Sequence, residues 1–150
     1  MVPTAYLFDP VYMDHDTGWG HPERPERLAA IDQKLRQQPY YKSLIKVEPK
    51  IGAKRYIELV HSPDYVKRVK EEIESGVHYL DSMDTAVCKR SYEVALLAVG
   101  GSLNMCDAII SERQSEGFVQ QDLRDTMLSM IMRQVSAFLI ILQLQQNISR

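Results

Sequence analysis

Cysteine is scarce in this chain. Cys88 and Cys106 are the two in 150 residues, too few for the disulfide framework of a small secreted protein and in keeping with a reducing compartment. An excess of one charge is lacking too: 18 Lys and Arg face 20 Asp and Glu, for a net charge of −2. No electrostatic footprint for nucleic acid or an anionic membrane follows from that balance. The opening Met1-Val2-Pro3-Thr4 has neither the basic nor the apolar stretch of a signal peptide. Long apolar runs are missing as well. Met127 to Leu144 is interrupted by Arg133 and Gln134, and its unbroken part, Ala137 to Leu142, falls well short of the ~20 residues a spanning helix needs. The expectation is a soluble cytoplasmic protein with no direct nucleic-acid partner and no membrane partner.

The most informative shortage is regional. Every Pro lies at or before Pro63, every His at or before His78, and the last Gly is Gly117. From Phe118 to Arg150 there is no Gly, Pro, Lys, His, Tyr, Trp or Cys, and Gln, Leu, Ile, Met and Ser dominate. The two parts do not read as products of the same constraints.

Before that break the pattern alternates strands with helices. Thr4 to Phe8 is a short apolar run closed by Asp9-Pro10, a buried strand leading into a loop. The segment 14–22 is dense in turn formers. Pro25 stands where a first helical residue belongs, Leu28, Ile31 and Leu35 follow at helical spacing, and Pro39 ends a helix at about Gln38. Leu44 to Val47 is a second strand candidate. Ile57, Leu59 and Val60 suggest a short helix. Ser62-Pro63 is a cap and first residue for another, with Tyr65, Val66, Val69 and Ile73 on one face and Gly76 beyond its end. Asp81 to Val87 reads as a loop. A long helix covers about Lys89 to Arg113, with Tyr92, Ala95, Leu96, Val99, Leu103 and Cys106 on one stripe. Gly100-Gly101 inside it predicts close packing against a neighbour. This alternation predicts α/β with a parallel sheet.

The residues able to do chemistry are few, and each has a bland reading beside the sharp one. Asp14, His15, Asp16 and His21 share a loop and are metal-ligand types, but loop His and Asp mostly cap turns, and no second cluster completes a coordination set. His61 before Ser62-Pro63 reads as a packing or capping residue. Asp81 and Asp84 could form an acid/base pair, although loop carboxylates are usually solvated or capping. Arg27 reads as a surface charge, and Lys67, Arg68, Lys70, Glu71, Glu72 and Glu74 as the solvated side of their helix. No Ser-His-Asp, phosphate-loop or dinucleotide signature is present.

Three segments nevertheless resemble the histone deacetylase superfamily, in order and spacing, over residues 4 to about 119. His15-Asp16-Thr17-Gly18-Trp19-Gly20-His21-Pro22-Glu23-Arg24-Pro25-Glu26-Arg27-Leu28 is similar to the first loop and helix of its class II, bacterial and acetylpolyamine-amidohydrolase-like members. Tyr56 to Tyr65 resembles the HS-x-x-Y segment. Leu80 to Thr85, Ser91 to Leu96 and Gly100-Gly101 resemble the D-T loop and the helix after it. The resemblance implies the N-terminal portion of the arginase/deacetylase open parallel-sheet fold, in a domain more than twice this length. It implies one Zn²⁺ held by two Asp and one His, a histidine pair as general base and acid, and a tyrosine on the oxyanion. The implied substrate is an acetylated lysine or polyamine. Only accessory positions transfer to this chain. Asp84 matches the aspartate on the substrate-binding rim, His21 and Pro22 match the first-loop edge of that rim, and Arg27 matches an arginine lining an internal channel. No catalytic residue and no metal ligand is carried over, and no zinc is expected to bind this chain.

The family should next show RPPGHHA and then GFC-x-FNN, and after Gly117-Phe118-Val119 neither appears. Back-translation suggests why. Gln-Asp-Leu-Arg-Asp-Thr-Met from Gln121 can be CAA GAC CTC CGG GAC ACC ATG, which spells RPPGHH when read from the third base. Met127 followed by Leu128 as CTN then forces Ala, and Met130 followed by Ile131 forces Asp. Val135 onward permits FCIFNN. The expectation is therefore residues 1–119 as the N-terminal part of a deacetylase domain, and residues 120–150 as an out-of-frame, poorly folded tail. Such a chain is a truncated, inactive deacetylase fragment. The alternative is a non-catalytic binding or regulatory module that keeps the deacetylase first-loop surface.

Overall fold

The computed structural model describes residues 4–52, 54–111 and 117–119. The tail expected to be out of frame lies outside the described residues.

Strand β1 (Ala5–Leu7) is the centre of the sheet, and all three of its residues are buried. It pairs in parallel with β2 (Ile45–Val47), Ala5 opposite Ile45 and Leu7 opposite Val47, and on its other side with β3 (Gly117–Val119). The order β2-β1-β3 is the expected open parallel sheet. A strand buried on both faces has no polar alternation, which is why Ala-Tyr-Leu could be read as a central strand. The third strand had no signature of its own.

Helix α1 (Pro25–Arg36) starts on its proline, with Glu26 in the first turn and Lys34 and Arg36 in the last, the charge order a helix dipole favours. Leu28 is buried, but Ile31 is 40% exposed and Asp32 is buried beside it. The helix is rotated so that Asp32 Oδ1 accepts the Tyr6 hydroxyl at 3.2 Å and Oδ2 accepts Arg36 Nε at 2.6 Å. Helix α2 (Lys54–Ile57) is a single turn that ends before Leu59 and Val60. Of that expected apolar set Ile57 is buried, whereas Leu59 is exposed.

Helix α3 (Pro63–Ser75) has the ends its sequence announces. Ser62 Oγ accepts the Tyr65 N–H at 3.2 Å, and Gly76 at φ 90° returns its N–H to the last turn. Val66, Val69 and Ile73 point into the core. The outer face carries Lys67–Glu71 at 3.8 Å, Arg68–Glu72 at 2.9 Å and Lys70–Glu74 at 3.6 Å, pairs worth a few tenths of a kcal/mol each.

Helix α4 (Ser91–Ser111) is the spine of the fold, packed on β1, β2 and β3. It is long and apolar enough to cross a bilayer by length and composition, yet more than half of it is buried within the protein. The expected stripe is too narrow, because Val94, Ala98, Ser102, Met105 and Ile109 are buried as well. The glycine pair explains the intimacy of the packing. A Cβ on Gly100 would fall on the Lys50 carbonyl oxygen and 2.5 Å from Gly52 N, and one on Gly101 would lie 2.6 Å from the Tyr12 hydroxyl. Gly52 N–H donates to Leu96 O at 2.8 Å, which fastens the strand-to-helix connection along α4.

Candidate functional site

Two loops carry the candidate residues, and the first docks on the stretch that joins the second to α4. The first, residues 14–23, is pinned there by its own polar groups. His15 Nδ1 lies 2.7 Å from Ser91 Oγ, the Cys88 thiol donates to Asp14 O at 3.2 Å, and Arg90 pairs with the Asp14 carboxylate at 3.1 Å. Inside the loop, Gly18 N–H donates to Asp16 Oδ1 at 2.9 Å and Thr17 Oγ1 donates to Glu23 O. Gly18 and Gly20 have φ of 89° and 81°, a backbone that L side chains rarely adopt. Between them Trp19 is fully solvated, at 104% relative exposure.

His21 is half-buried and turned back on its own loop. Its Nδ1 is 3.1 Å from the Glu23 N–H and 3.0 Å from the Glu23 carbonyl oxygen. A neutral ring accepts the first or donates to the second, one at a time. Pro22 is exposed, and its carbonyl accepts Arg27 Nη1 at 3.4 Å. Arg27 itself is half-buried. Glu23 is the residue that sequence reasoning passed over. It is buried at 6% exposure and, with Tyr12, His15, Arg24, Pro25 and Leu28, lines a small recess under the loop. Its place between a turn proline and a helix-start proline was the available signal.

The second loop, residues 78–87, is a tight ribbon. Leu80 N–H donates to Thr85 O and Val87 N–H to His78 O, both at 2.9 Å, and Tyr79 bridges Ala86. Its tip carries Asp81, Ser82, Met83 and Asp84, all exposed. Asp81 and Asp84 have different surroundings. Asp81 is bound to α3, accepting the Tyr65 hydroxyl at 2.6 Å and Arg68 Nη2 at 2.7 Å, and those two donors hold its carboxyl below the usual range. The Tyr65 phenol is pushed up to about 12, by burial first and then by Asp81. Asp84 keeps its carboxylate at the surface, while its N–H donates to Ser82 Oγ at 3.3 Å. His61 stacks on Tyr65 at 5.2 Å, the packing role expected of it.

The described residues do not fit a zinc ion. Among them no three His, Cys, Asp or Glu side chains converge on a common point. The loop donors are turned elsewhere, His15 to Ser91, His21 to Glu23 and Asp14 to Arg90.

Residues 21–122 match the histone deacetylase domain. This chain belongs to that family. The match begins at His21, on the first loop, and runs through the second loop, α4 and β3. An uncharacterised protein of Synechocystis is 34% identical over 114 residues, which are 74% of this chain and 37% of that protein. Human polyamine deacetylase HDAC10 is 31% identical over 108 residues, 66% of this chain and 16% of its own. The HD domain of HDA15 superposes with a TM-score of 0.70 at 25% identity, over 79% of this chain and 34% of that one. The chain thus spans from 16% to 37% of the length of these relatives.

Proposed function

We propose that this chain forms the substrate rim of a zinc-dependent deacetylase and lacks the chemistry of the reaction. What carries the reading is that the first loop is fastened to Cys88 and Ser91, just after the Asp84 loop, while His21, Pro22 and Asp84 themselves lie within the residues that match the deacetylase domain. An exposed carboxylate on a short, hydrogen-bonded tip suits a backbone N–H of a bound acetylated substrate. A hydrogen bond to a charged acceptor of this kind is worth about 1.5–3 kcal/mol. The His21-Pro22 edge supplies the facing wall, with the imidazole held by Glu23. Arg27 would line an internal channel once later parts of a full domain enclosed it. In the full domain, zinc would polarise the acetyl carbonyl and activate water; the described donors do not form its site, so no step is assigned to them. The ligand is an acetylated primary amine, as acetyl-lysine in a peptide or as an acetylated polyamine, and the polyamine source has support in the likeness to HDAC10.

Trp19 is the chain's one tryptophan, is fully exposed, and shares the loop of His21, so its emission reports on the rim. Titration of the whole chain with an acetyl-lysine peptide and with an acetylated polyamine should shift that emission, with Asp84→Ala weakening the response and no acetate released. Chelator-sensitive release of acetate would show the chain to be a working enzyme. An emission shift indifferent to Asp84→Ala would favour the binding module that merely keeps the first-loop surface.

A further inference from the structure

The ribbon that carries Asp84 is anchored at its base by Leu80 and Val87 in the core, and at its exposed tip Asp81 ties it to α3. Asp81 takes φ 46°, the one non-glycine residue with positive φ among those described. That conformation turns the ribbon so that the Asp81 carboxylate faces α3. Both of its oxygens are then engaged, Oδ2 by the Tyr65 hydroxyl and Oδ1 by the Arg68 guanidinium. The two donors brace each other, since Arg68 lies 4.9 Å over the Tyr65 ring, His61 stacks on that ring, and Glu72 holds the other end of the guanidinium at 2.9 Å. The tip itself is otherwise exposed and contributes no buried apolar side chain, Met83 being 74% exposed.

We propose that Asp81 is a positioning residue, which latches the loop to α3 so that Asp84, three residues on, is presented to the substrate in one orientation. The inference rests on the reading of Asp84 as a rim residue and adds what holds it in place. Left-handed backbone and latch are separable by substitution. Asn and Gly both accept φ 46° readily. Asp81→Asn keeps an acceptor for the Tyr65 hydroxyl and removes the charge that pairs with Arg68, whereas Asp81→Gly removes both bonds.

The test is titration of an acetyl-lysine peptide into the whole chain, read by backbone amide resonances of Met83 and Asp84 and by Trp19 emission. The latch predicts affinity in the order wild type, Asp81→Asn, Asp81→Gly, with a loss of about tenfold in the last, equivalent to about 1.4 kcal/mol. The Asp84 amide should move toward its unstructured position in the same order, while the denaturation midpoint stays that of wild type. If both variants bind as wild type does and the Asp84 amide is unmoved, the backbone turn suffices and the latch is refuted. If the variants lose affinity only in step with their denaturation midpoints, Asp81 is structural and the inference also fails. If wild type gives no response to the peptide by either readout, the rim reading falls and the latch's purpose with it.

Discussion

At the scale of single residues the protein turns on a few places where a side chain would not fit or could not be replaced. Gly100 is the sharpest. The Lys50–Gly52 segment crosses α4 where a Cβ would stand, and the obstructing atoms are backbone, which cannot swing aside. Gly100→Ala is therefore expected to destabilise by about 3 kcal/mol or more, the upper range for overpacking. Urea denaturation measures it, and a midpoint within error of wild type would contradict the packing described. Asp32 shows the opposite logic. A buried carboxylate is tolerated because the Tyr6 hydroxyl and Arg36 both donate to it. The Tyr6 phenol is in turn pushed well above its ordinary value, by burial and then by that carboxylate.

At the scale of elements, what could be read depended on whether the determinants were local. Helix α3 was legible from Ser62 to Gly76 because its cap, its proline and its apolar spacing all lie within its own sequence. The Gly100-Gly101 pair announced a close neighbour for the same reason, although not which one. Strand β3 was not legible, since three residues are chosen as a strand by their pairing with β1 and by nothing nearby. The face of α1 was misjudged at Ile31 because Asp32 gains partners on other elements. The candidate site divides likewise: both loops stood out by composition, but the ties of His15 to Ser91 and of Asp81 to α3 join residues far apart in sequence. Those ties give the second loop a pH dependence. Asp81 is held below the usual carboxylate value by Tyr65 and Arg68, so its contribution is present above the ordinary value of about 3.9 and is lost as pH falls through the depressed one. The carboxylate is exposed, so the energy is modest and screened by salt. The Met83 amide should shift on acidification with a midpoint below about 3.9; a midpoint at or above it would mean that the carboxylate is free in solution.

At the scale of the whole molecule, the described residues form part of a deacetylase domain: three parallel strands, a spine helix packed on them and two loops that precede it. Leu59, Met83, Ile51 and Ile110 are exposed apolar side chains on this part, of the kind that further parts of a domain cover. The proposal for residues 120–150, a stretch translated in the wrong frame, accounts for two facts together. Residues 118–150 contain no Gly, Pro, His or Lys, and the family's RPPGHHA, due after Gly117-Phe118-Val119, does not appear in the given frame. The most direct measurement is the nucleotide sequence of the gene from about codon 110 to well beyond codon 150. The account predicts codons at 121–149 that spell RPPGHHA and then FCIFNN when read one frame over, with the shifted frame continuing into a full deacetylase domain. Codons that cannot spell those motifs in any frame would contradict it.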